Sequence, residues 1–238
     1  MHFRGWQKTS LIEYPGKIST VLFTGKCNFR CPFCYNRDVV LESNRTYDID
    51  EKEVLDYLKE RKKLYQAVIV TGGEPTMHKG LPDFYRKIRA LGFLTGLETN
   101  GTSPEMLKEL LDNKLVDYVA MDIKAPLVWE KYSKATRTKD KRLFGNVLKS
   151  VRLLMASGVR YEFRTTVVPR LHSEEDILEL AGQLGGAKTF ALQQFTPKDT
   201  TLDPKFAKAK PYPDAVLKNL REKISGNFET CELRNVND

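Results

Sequence analysis

The chain has 238 residues, of which 41% are hydrophobic and 29% charged, and this composition excludes collagen-like, low-complexity and disordered classes. The net charge of +8 comes from 39 basic against 31 acidic residues spread along the chain, so we expect no nucleic-acid partner. No apolar run approaches the roughly 20 residues that span a bilayer, and the first eight residues lack the apolar segment of a secretory signal. We therefore expect a cytoplasmic protein without a membrane partner.

Short apolar runs rich in β-branched residues alternate with amphipathic stretches. The runs predict six strands, at 18–24, 67–71, 93–98, 116–123, 161–168 and 189–195. Strands separated by helical patterns indicate βαβ units and a parallel sheet. Six units are too few for a closed eight-stranded barrel, so we expect an α/β fold with a partial TIM-like (βα)6 barrel or an open parallel sheet. The chain is predicted to be one domain over 1–238, with a leader at 1–17, the six units at 18–195, and a C-terminal loop and helix at 196–238.

The intervening helices carry recognisable start and stop signals. Ser103 lies before a proline as an expected N-cap, and Ser173 followed by three acidic residues is close to a capping box. Gly92 and Gly158 are expected to end the helices that precede them. The predicted helices include 50–64, 82–91, 143–154 and 214–224.

Three of the four cysteines, Cys27, Cys31 and Cys34, lie within eight residues directly after the first predicted strand. Such a set in a chain without a secretory signal is more typical of metal ligands than of disulfides. Three thiolates suit an iron–sulfur cubane with one iron open to substrate, whereas a zinc site needs a fourth ligand. The candidates for that ligand are Cys231, His2, His78 and His172. Unliganded buried cysteines are the third alternative, and Cys231 is expected to be an incidental thiol.

Charged residues flank the cysteines, and a glycine motif follows the next predicted strand. The flanking cations are expected to favour the thiolate forms, and they are Lys26, Arg30 and Arg37. The second strand runs into Gly72, Gly73 and Glu74, whose bare backbone and carboxylate suit an ammonium group. A lone motif of this kind is also typical of an ordinary turn, but here it follows the cysteine loop by one strand.

Polar residues also mark the ends of the next three predicted strands. They are Glu98, Thr99 and Asn100 on the third, Asp122 and Lys124 on the fourth, and Arg164 on the fifth. Asp122 and Lys124 are two residues apart and therefore point to the same side. They form either a surface ion pair or contacts to ribose and a carboxylate, and Arg164 is either a carboxylate partner or a side chain that extends to solvent.

The spacing Cys-x₃-Cys-x₂-Cys, with Phe33 before the last cysteine, resembles the signature of the radical SAM superfamily. The Gly-Gly-Glu element resembles that family's second motif. Within the superfamily, the chain most resembles the glycyl-radical-enzyme activating proteins, in particular those of anaerobic ribonucleoside-triphosphate reductase. The match includes residues 7–17, the two motifs, 98–101, 122–124, Arg164 and 193–195. Gln194 stands where the pyruvate formate-lyase activating enzyme has a histidine that reaches the ribose.

The resemblance implies a radical SAM fold and a [4Fe–4S] cluster held by Cys27, Cys31 and Cys34. It implies reductive cleavage of S-adenosylmethionine to a 5′-deoxyadenosyl radical that removes a hydrogen atom from its target. The implied contacts to the methionine moiety are Gly72, Gly73, Glu74, Lys124 and Arg164, and those to the nucleoside are Phe33, Asp122 and Gln194. Thr99 and Asn100 are further implied cofactor-binding residues. A weaker analogy places a monovalent cation at Glu98, Thr99 and Asp122.

The partial barrel has a consequence for the substrate, because an unclosed side admits a backbone loop. The resemblance implies that the substrate is a glycine Cα–H of the anaerobic reductase, and that a flavodoxin- or ferredoxin-type protein donates electrons. Activation of another glycyl radical enzyme, such as pyruvate formate-lyase, is an alternative. A second alternative is a radical SAM enzyme of the carboxydeazaguanine synthase type, which acts on a small molecule. A third alternative is a zinc-stabilised binding protein without catalysis.

Overall fold

The computed structural model describes residues 1–43 and 46–237. The strands in this part are β1 (His2–Phe3), β2 (Gly5–Ser10), β3 (Ser19–Thr24), β4 (Ile49–Asp50), β5 (Ala67–Gly72), β6 (Leu94–Thr99), β7 (Tyr118–Asp122), β8 (Arg160–Val167), β9 (Thr189–Gln194) and β10 (Thr230–Arg234). The helices are α1 (Arg37–Leu41), α2 (Glu51–Glu60), α3 (Leu81–Ala90), α4 (Pro104–Asp112), α5 (Trp129–Thr136), α6 (Lys141–Met155), α7 (Glu174–Gln183), α8 (Pro204–Ala207) and α9 (Asp214–Ile224). None of these helices is long and apolar enough to cross a membrane.

Eight strands form one sheet in the order β10-β9-β8-β7-β6-β5-β3-β2. Neighbouring strands are parallel except for β2 and β3, which run antiparallel. Strands β1 and β4 form a separate two-stranded sheet. The edges of the large sheet are β2 and β10, and within the described residues no pairing joins them, so the barrel stays open on one side. The predicted α/β fold with a partial barrel is confirmed.

All six predicted strands are present, with ends within two residues of the predicted positions. Helix α9 has the predicted bounds. The capping box at the start of α7 is also present, because the Ser173 hydroxyl accepts from the Asp176 amide and the Asp176 carboxylate accepts from the Ser173 amide. Gly92 follows α3 with a φ of 89°, the left-handed conformation that glycine adopts without strain.

Two segments that were predicted to lie outside the βα units contribute strands. The expected leader contains β2, a largely polar edge strand that lacks the apolar run used to predict the other strands. The expected C-terminal loop and helix also contains β10, which pairs in parallel with β9 and follows α9, so β9–α9–β10 is a further parallel crossover. Gly158 does not end α6 directly, since that helix stops at Met155 with Ala156 as its C-cap.

The interior of the partial barrel is apolar at the amino ends of the strands. Tyr14, from the segment between β2 and β3, packs there with Val21, Ile69, Tyr118 and Ala120. The Tyr14 and Tyr118 rings lie 5.3 Å apart between centroids. This plug fills one end of the barrel, and the polar residues that follow the strands lie at the other end.

Candidate active site

A cavity of about 1000 Å³ lies at the carboxyl ends of the strands and extends into the barrel. Every predicted site residue lines it, namely Cys27, Cys31, Phe33, Cys34, Gly72, Gly73, Glu74, Thr99, Asn100, Asp122, Lys124, Arg164 and Gln194. All eight strands of the large sheet, or the loops that follow them, contribute to its walls. The fold therefore brings the separate motifs of the sequence to one place.

The three thiols are carried by one short loop that is largely buried. The Cys34 amide donates to the Cys31 carbonyl at 3.0 Å, and the Phe29 amide lies 3.4 Å from the Cys27 sulfur. Burial raises the pKa of all three thiols, and that of Cys27 reaches about 11. Metal binding at these thiols therefore requires the release of protons.

Two of the cations predicted to favour the thiolates have other partners. Lys26 pairs with Glu42, at 3.6 Å between Nζ and Oε2, and Arg30 donates to the backbone carbonyls of Cys27 and Phe29. Lys124, from the end of β7, is the cation that lowers the pKa of all three thiols against the effect of burial. Of the three predicted cations, Arg30 lowers the pKa of the Cys34 thiol, whereas Lys124 acts on all three thiols.

The two glycines at the end of β5 are required by close contact with the end of β3 and the start of the cysteine loop. A Cβ on Gly73 would lie 1.7 Å from the Lys26 carbonyl oxygen, and one on Gly72 would lie 2.5 Å from backbone atoms of Thr24. Gly72 also has a φ of 115°. The Gly73 amide donates to the Thr24 carbonyl at 2.8 Å and the Glu74 amide to the Lys26 carbonyl at 2.7 Å. The motif thus fastens the end of β5 to the start of the cysteine loop.

Glu74 lies under the cavity wall and is fully buried. Its Oε1 accepts from the Thr76 amide and hydroxyl and from the Thr99 hydroxyl, at 3.1, 2.5 and 2.6 Å. Its Oε2 accepts from the Asn100 amide at 2.7 Å. Burial raises its pKa, and these hydrogen bonds act in the opposite direction. The carboxylate therefore joins the ends of β5 and β6, and direct contact with a ligand ammonium, as predicted, would have to compete with four protein donors.

Asn100 connects the end of β6 to the cysteine loop. Its side-chain amide lies 3.7 Å from the Cys27 sulfur and donates to Asn28 Oδ1 at 2.9 Å. Asn28 in turn donates to the Thr102 hydroxyl, which donates to Asn100 Oδ1. Asn28 and Thr102 were not predicted as site residues. The polar Asn-Gly-Thr turn after β6 was the available signal, because such side chains commonly bond nearby backbone and one another.

The C-terminal loop holds the other side of the cysteine loop. The Leu202 amide donates to the Cys34 carbonyl and the Asp203 amide to the Pro32 carbonyl, both at 2.9 Å. Asp203 also pairs with Arg137 at the end of α5. These contacts link residues distant in sequence, so no local pattern predicts them.

Four charged side chains form a connected network on the cavity wall. Arg164 donates through Nη1 to Glu98 at 2.9 Å and through Nε to Asp122 at 3.1 Å, and Lys124 donates to Asp122 at 3.0 Å. Although burial opposes the charged forms, Lys124 and Arg164 hold the pKa of Asp122 at about 2, and Arg164 lowers that of Glu98. Arg164 is 6% exposed, so it is a carboxylate partner and does not extend to solvent.

Glu13, from the segment between β2 and β3, reaches this network and was not predicted as a site residue. Its carboxyl is hydrogen-bonded to Glu98 and lies 3.8 Å from Arg164 Nη1. Burial and the negative charge of Glu98 raise the pKa of Glu13 to about 8. At neutral pH Glu13 therefore retains its proton in the folded chain.

This raised pKa predicts a specific pH dependence of stability. The stabilisation from protonated Glu13 is complete below its ordinary pKa of 4.5 and is lost as the pH rises through about 8. We expect Glu13→Gln to reduce the drop in melting temperature between pH 6 and pH 9 by about 2–4 °C, the shift that roughly 1 kcal/mol produces in a chain of this size. Glu105→Gln, at an exposed position on α4, is the control. An unchanged pH profile in Glu13→Gln would contradict the assignment.

Gln194, at the end of β9, has a fixed orientation and one unpaired atom. Its Nε2 donates to the Tyr212 carbonyl at 2.7 Å and to Asp214 Oδ1 at 3.1 Å, which determines which end of the amide is the oxygen. Its Oε1 is buried and has no donor within the described residues. A buried acceptor without a donor is costly, so a ligand hydroxyl in this cavity fits the position.

The histidines are engaged elsewhere and do not line the cavity. His172 accepts at Nδ1 from the Val168 amide, which leaves Nε2 to donate to the Lys124 carbonyl at 2.9 Å. It therefore holds the backbone that carries Lys124, and burial lowers its pKa. His78 Nε2 lies 2.9 Å from the Gly25 carbonyl, and His2 pairs with Asp48.

The donor set of the cavity suits an iron–sulfur cluster. Among the described residues, no three His, Cys, Asp or Glu side chains converge closely enough to hold a single metal ion. A cubane is held through separate irons, so its cysteine ligands need not converge on one point. Cys231 lies on β10, paired with Phe190, and is absent from the cavity lining. Three thiols around one cavity are therefore the available ligands, and they fit a cluster with one iron open to a substrate.

Comparison with known families agrees with this geometry. The sequence profile of the radical SAM superfamily matches residues 21–184, and the chain belongs to this superfamily. It is an enzyme of this class, and the family implies a [4Fe–4S] cluster and S-adenosylmethionine as its cofactors.

Two sequence relatives and one solved structure give a more specific comparison. A protein of Methanocaldococcus jannaschii whose name classes it with the glycyl-radical enzyme activating enzymes is 34% identical, over 96% of this chain and 93% of its own length. The pyruvate formate-lyase-activating enzyme of Clostridium pasteurianum is 28% identical, over 82% and 80%. The crystal structure of Streptococcus suis SuiB bound to the precursor peptide SuiA has a similar fold, with a TM-score of 0.66 and 18% identity. That match covers 89% of this chain and 47% of SuiB.

Proposed function

We propose that this enzyme activates a glycyl radical enzyme, and that its substrate is a glycine of anaerobic ribonucleoside-triphosphate reductase. The names of the relatives from M. jannaschii and C. pasteurianum support the activation of a glycyl radical enzyme. The resemblance of residues 7–17, 98–101 and 193–195 to the activating proteins of anaerobic reductase favours that reductase as the particular partner. Activation of a pyruvate formate-lyase type of enzyme is the second candidate, favoured by the relative from C. pasteurianum.

The observation that carries the proposal is the path of the cavity. The same cavity is lined by the three cysteines and by residues of or beside the two sheet edges, including Gln7, Ile12, Glu232 and Arg234. Because the barrel is open between β2 and β10, a backbone loop has lateral access to the interior. Ile12 is 77% exposed at this side, which suits contact with a polypeptide.

The proposed roles of the cavity residues follow from their positions. Cys27, Cys31 and Cys34 hold the cluster, and the cluster with S-adenosylmethionine supplies, when bound, a 5′-deoxyadenosyl radical that removes the glycine Cα hydrogen atom. The backbone carbonyls of the glycine turn accept from the methionine ammonium, while Glu74 keeps that turn against β6. Lys124 and Arg164 contact the methionine carboxylate. The polar and aromatic groups that contact the nucleoside are Asp122, Thr99, Asn100, Gln194 and Phe33.

The electron donor is proposed to be an acidic protein of the flavodoxin or ferredoxin type. Lys26, Arg30 and Arg37 are exposed on the cysteine loop or just after it. Complementary charge accelerates encounter between partners and orients them. The same loop carries the proposed cluster ligands, so a donor bound there would be close to the cluster.

Glycyl radical formation is the direct test of this function. The reconstituted, reduced enzyme is incubated anaerobically with S-adenosylmethionine and the reductase, and the product is examined by electron paramagnetic resonance. We expect the doublet of a glycyl radical on the reductase and an equivalent amount of 5′-deoxyadenosine. A doublet on pyruvate formate-lyase instead would establish the second candidate. Formation of 5′-deoxyadenosine with no protein radical on either partner would overturn both and favour a small-molecule substrate.

Gln194 provides a test of the cofactor placement. Loss of its unpaired buried oxygen removes one proposed hydrogen bond to a ribose hydroxyl, so Gln194→Ala is expected to weaken S-adenosylmethionine binding by about three- to tenfold. Equilibrium binding to the reconstituted enzyme measures this effect. Gln183→Ala, on α7 outside the cavity, is the control. Unchanged affinity in a folded Gln194→Ala enzyme would remove this residue from the site.

A further inference from the structure

We propose that Arg164 is a built-in cation that positions Asp122 and Lys124, so that cofactor binding by this enzyme requires no monovalent metal ion. The inference rests on the proposed placement of S-adenosylmethionine in the cavity. Beyond its proposed contact with the methionine carboxylate, Arg164 is thereby given a positioning role that acts through Asp122 and Lys124. It also replaces the expectation, taken from resemblance, of a monovalent cation at Glu98, Thr99 and Asp122.

The oxygen atoms that such an ion would need are already engaged. Glu98 accepts from Arg164 Nη1 at 2.9 Å through Oε1 and from the Thr71 hydroxyl at 2.7 Å through Oε2, and it is also hydrogen-bonded to Glu13. Asp122 accepts from Arg164 Nε at 3.1 Å and from Lys124 Nζ at 3.0 Å, again one on each oxygen. The Thr99 hydroxyl donates to Glu74. Each carboxylate oxygen of Glu98 and Asp122 already accepts from a donor, and an added cation would lie beside two positive side chains that face the same carboxylates.

The charge of the network is also balanced without an ion. Arg164 and Lys124 supply two positive charges, and Glu98 and Asp122 supply two negative charges. Glu13 is hydrogen-bonded to Glu98, which two carboxyl groups achieve only with a proton between them, so it adds no charge. The neighbouring Glu162, 3.9 Å from Arg164 Nε, is paired with Arg234 at 2.6 Å. A further cation would leave an unpaired positive charge among largely buried groups, which is strongly unfavourable. The Arg164 guanidinium thus supplies, between the two carboxylates, the positive charge that a monovalent ion would otherwise supply.

The planar shape of the guanidinium explains why an arginine suits this position. Its Nε and Nη1 bond to carboxylates of two different strands, β6 and β7, from a residue on a third strand, β8. Asp122 is thereby held between Arg164 and Lys124, both of which line the cavity. Removal of Arg164 leaves Glu98 and Asp122 as neighbouring carboxylates without their shared donor, and Asp122 loses its orientation.

Cation dependence of S-adenosylmethionine binding tests this inference. Affinity is measured calorimetrically on the reconstituted enzyme at constant ionic strength, with tetramethylammonium, sodium or potassium chloride. We expect the wild-type affinity to be the same in all three salts. Arg164→Ala is expected to bind at least about tenfold more weakly in tetramethylammonium, and to regain affinity when potassium, sodium or guanidinium ions are added. Arg160→Ala, at the exposed start of the same strand, is expected to behave as the wild type.

Two results would overturn the inference. One is a wild-type affinity that rises saturably with sodium or potassium, and this result needs no variant. The other is a folded Arg164→Ala enzyme that no small cation rescues. Arg164→Lys, which keeps the charge, provides a second variant and is expected to bind more weakly than wild type without dependence on potassium. The assay contains no protein substrate, so its outcome is independent of which polypeptide the enzyme activates.

Discussion

Cys31→Ala is expected to abolish the formation of 5′-deoxyadenosine from S-adenosylmethionine, with a loss of at least about a hundredfold. Changes to residues that merely support a metal ligand commonly cost 10- to 100-fold, and Cys31 is placed as a ligand itself. Its thiol lies on the cavity wall between those of Cys27 and Cys34 in the loop. The variant should also incorporate less iron and lose the absorbance of the cluster.

The fourth cysteine provides a closely matched control. Cys31 and Cys231 are both buried, at 6% and 8% exposure, and burial raises the pKa of both thiols. Cys231 lies on β10, outside the cavity lining. We expect Cys231→Ala to keep its iron content and activity. Iron content and product yield that fall equally in both variants would contradict the assignment of three ligands, and so would full activity in Cys31→Ala.

The second large effect is expected from Gly73→Ala. The added methyl group would lie 1.7 Å from the Lys26 carbonyl oxygen, and that atom belongs to the backbone and cannot rotate away. Either the glycine turn or the cysteine loop must shift, at a cost of about 3 kcal/mol or more. We expect a clearly lower melting temperature together with poor iron incorporation, because the displaced segment directly precedes Cys27.

Gly145→Ala is the control, and we expect it to stabilise the protein where Gly73→Ala destabilises it. Gly145 lies inside α6, and no atom lies within 4 Å of an added Cβ. Alanine in the interior of a helix is favoured over glycine by roughly 0.5–1 kcal/mol. Thermal unfolding of the two variants should therefore shift in opposite directions. A Gly73→Ala protein as stable as the wild type and fully loaded with iron would show that the turn and the loop do not hold each other as described.

The central strands and their polar ends were predictable from sequence because both signals are local. A buried parallel strand is a continuous apolar run, and the residues that follow it necessarily reach the carboxyl end of the sheet. That reasoning placed Lys124 and Arg164 on the same cavity wall as the cysteines, although 40 residues separate them from one another. Edge strands such as β2 carry a weaker pattern, since one side is open and polar residues are tolerated there.

What the sequence could not provide is the partner of each polar group. Glu74 has the residue type expected for an ammonium ligand, yet its four donors come from the following turn and from the end of β6. Glu13 lies in a segment without any motif for acid–base chemistry, and only folding brings it to Glu98 and Arg164. Such pairings depend on distances between elements far apart in the chain.

The cofactor site and the open side of the barrel are formed by different parts of the sequence. The cysteines and the proposed cofactor contacts all lie between Cys27 and Gln194, whereas β2 and β10, near the two ends of the described chain, border the opening. Exchange of these border strands between relatives would therefore change which polypeptide is admitted and leave the cluster loop and its supports intact. New partner choice can arise at the borders of the sheet while the radical chemistry stays unchanged at its centre.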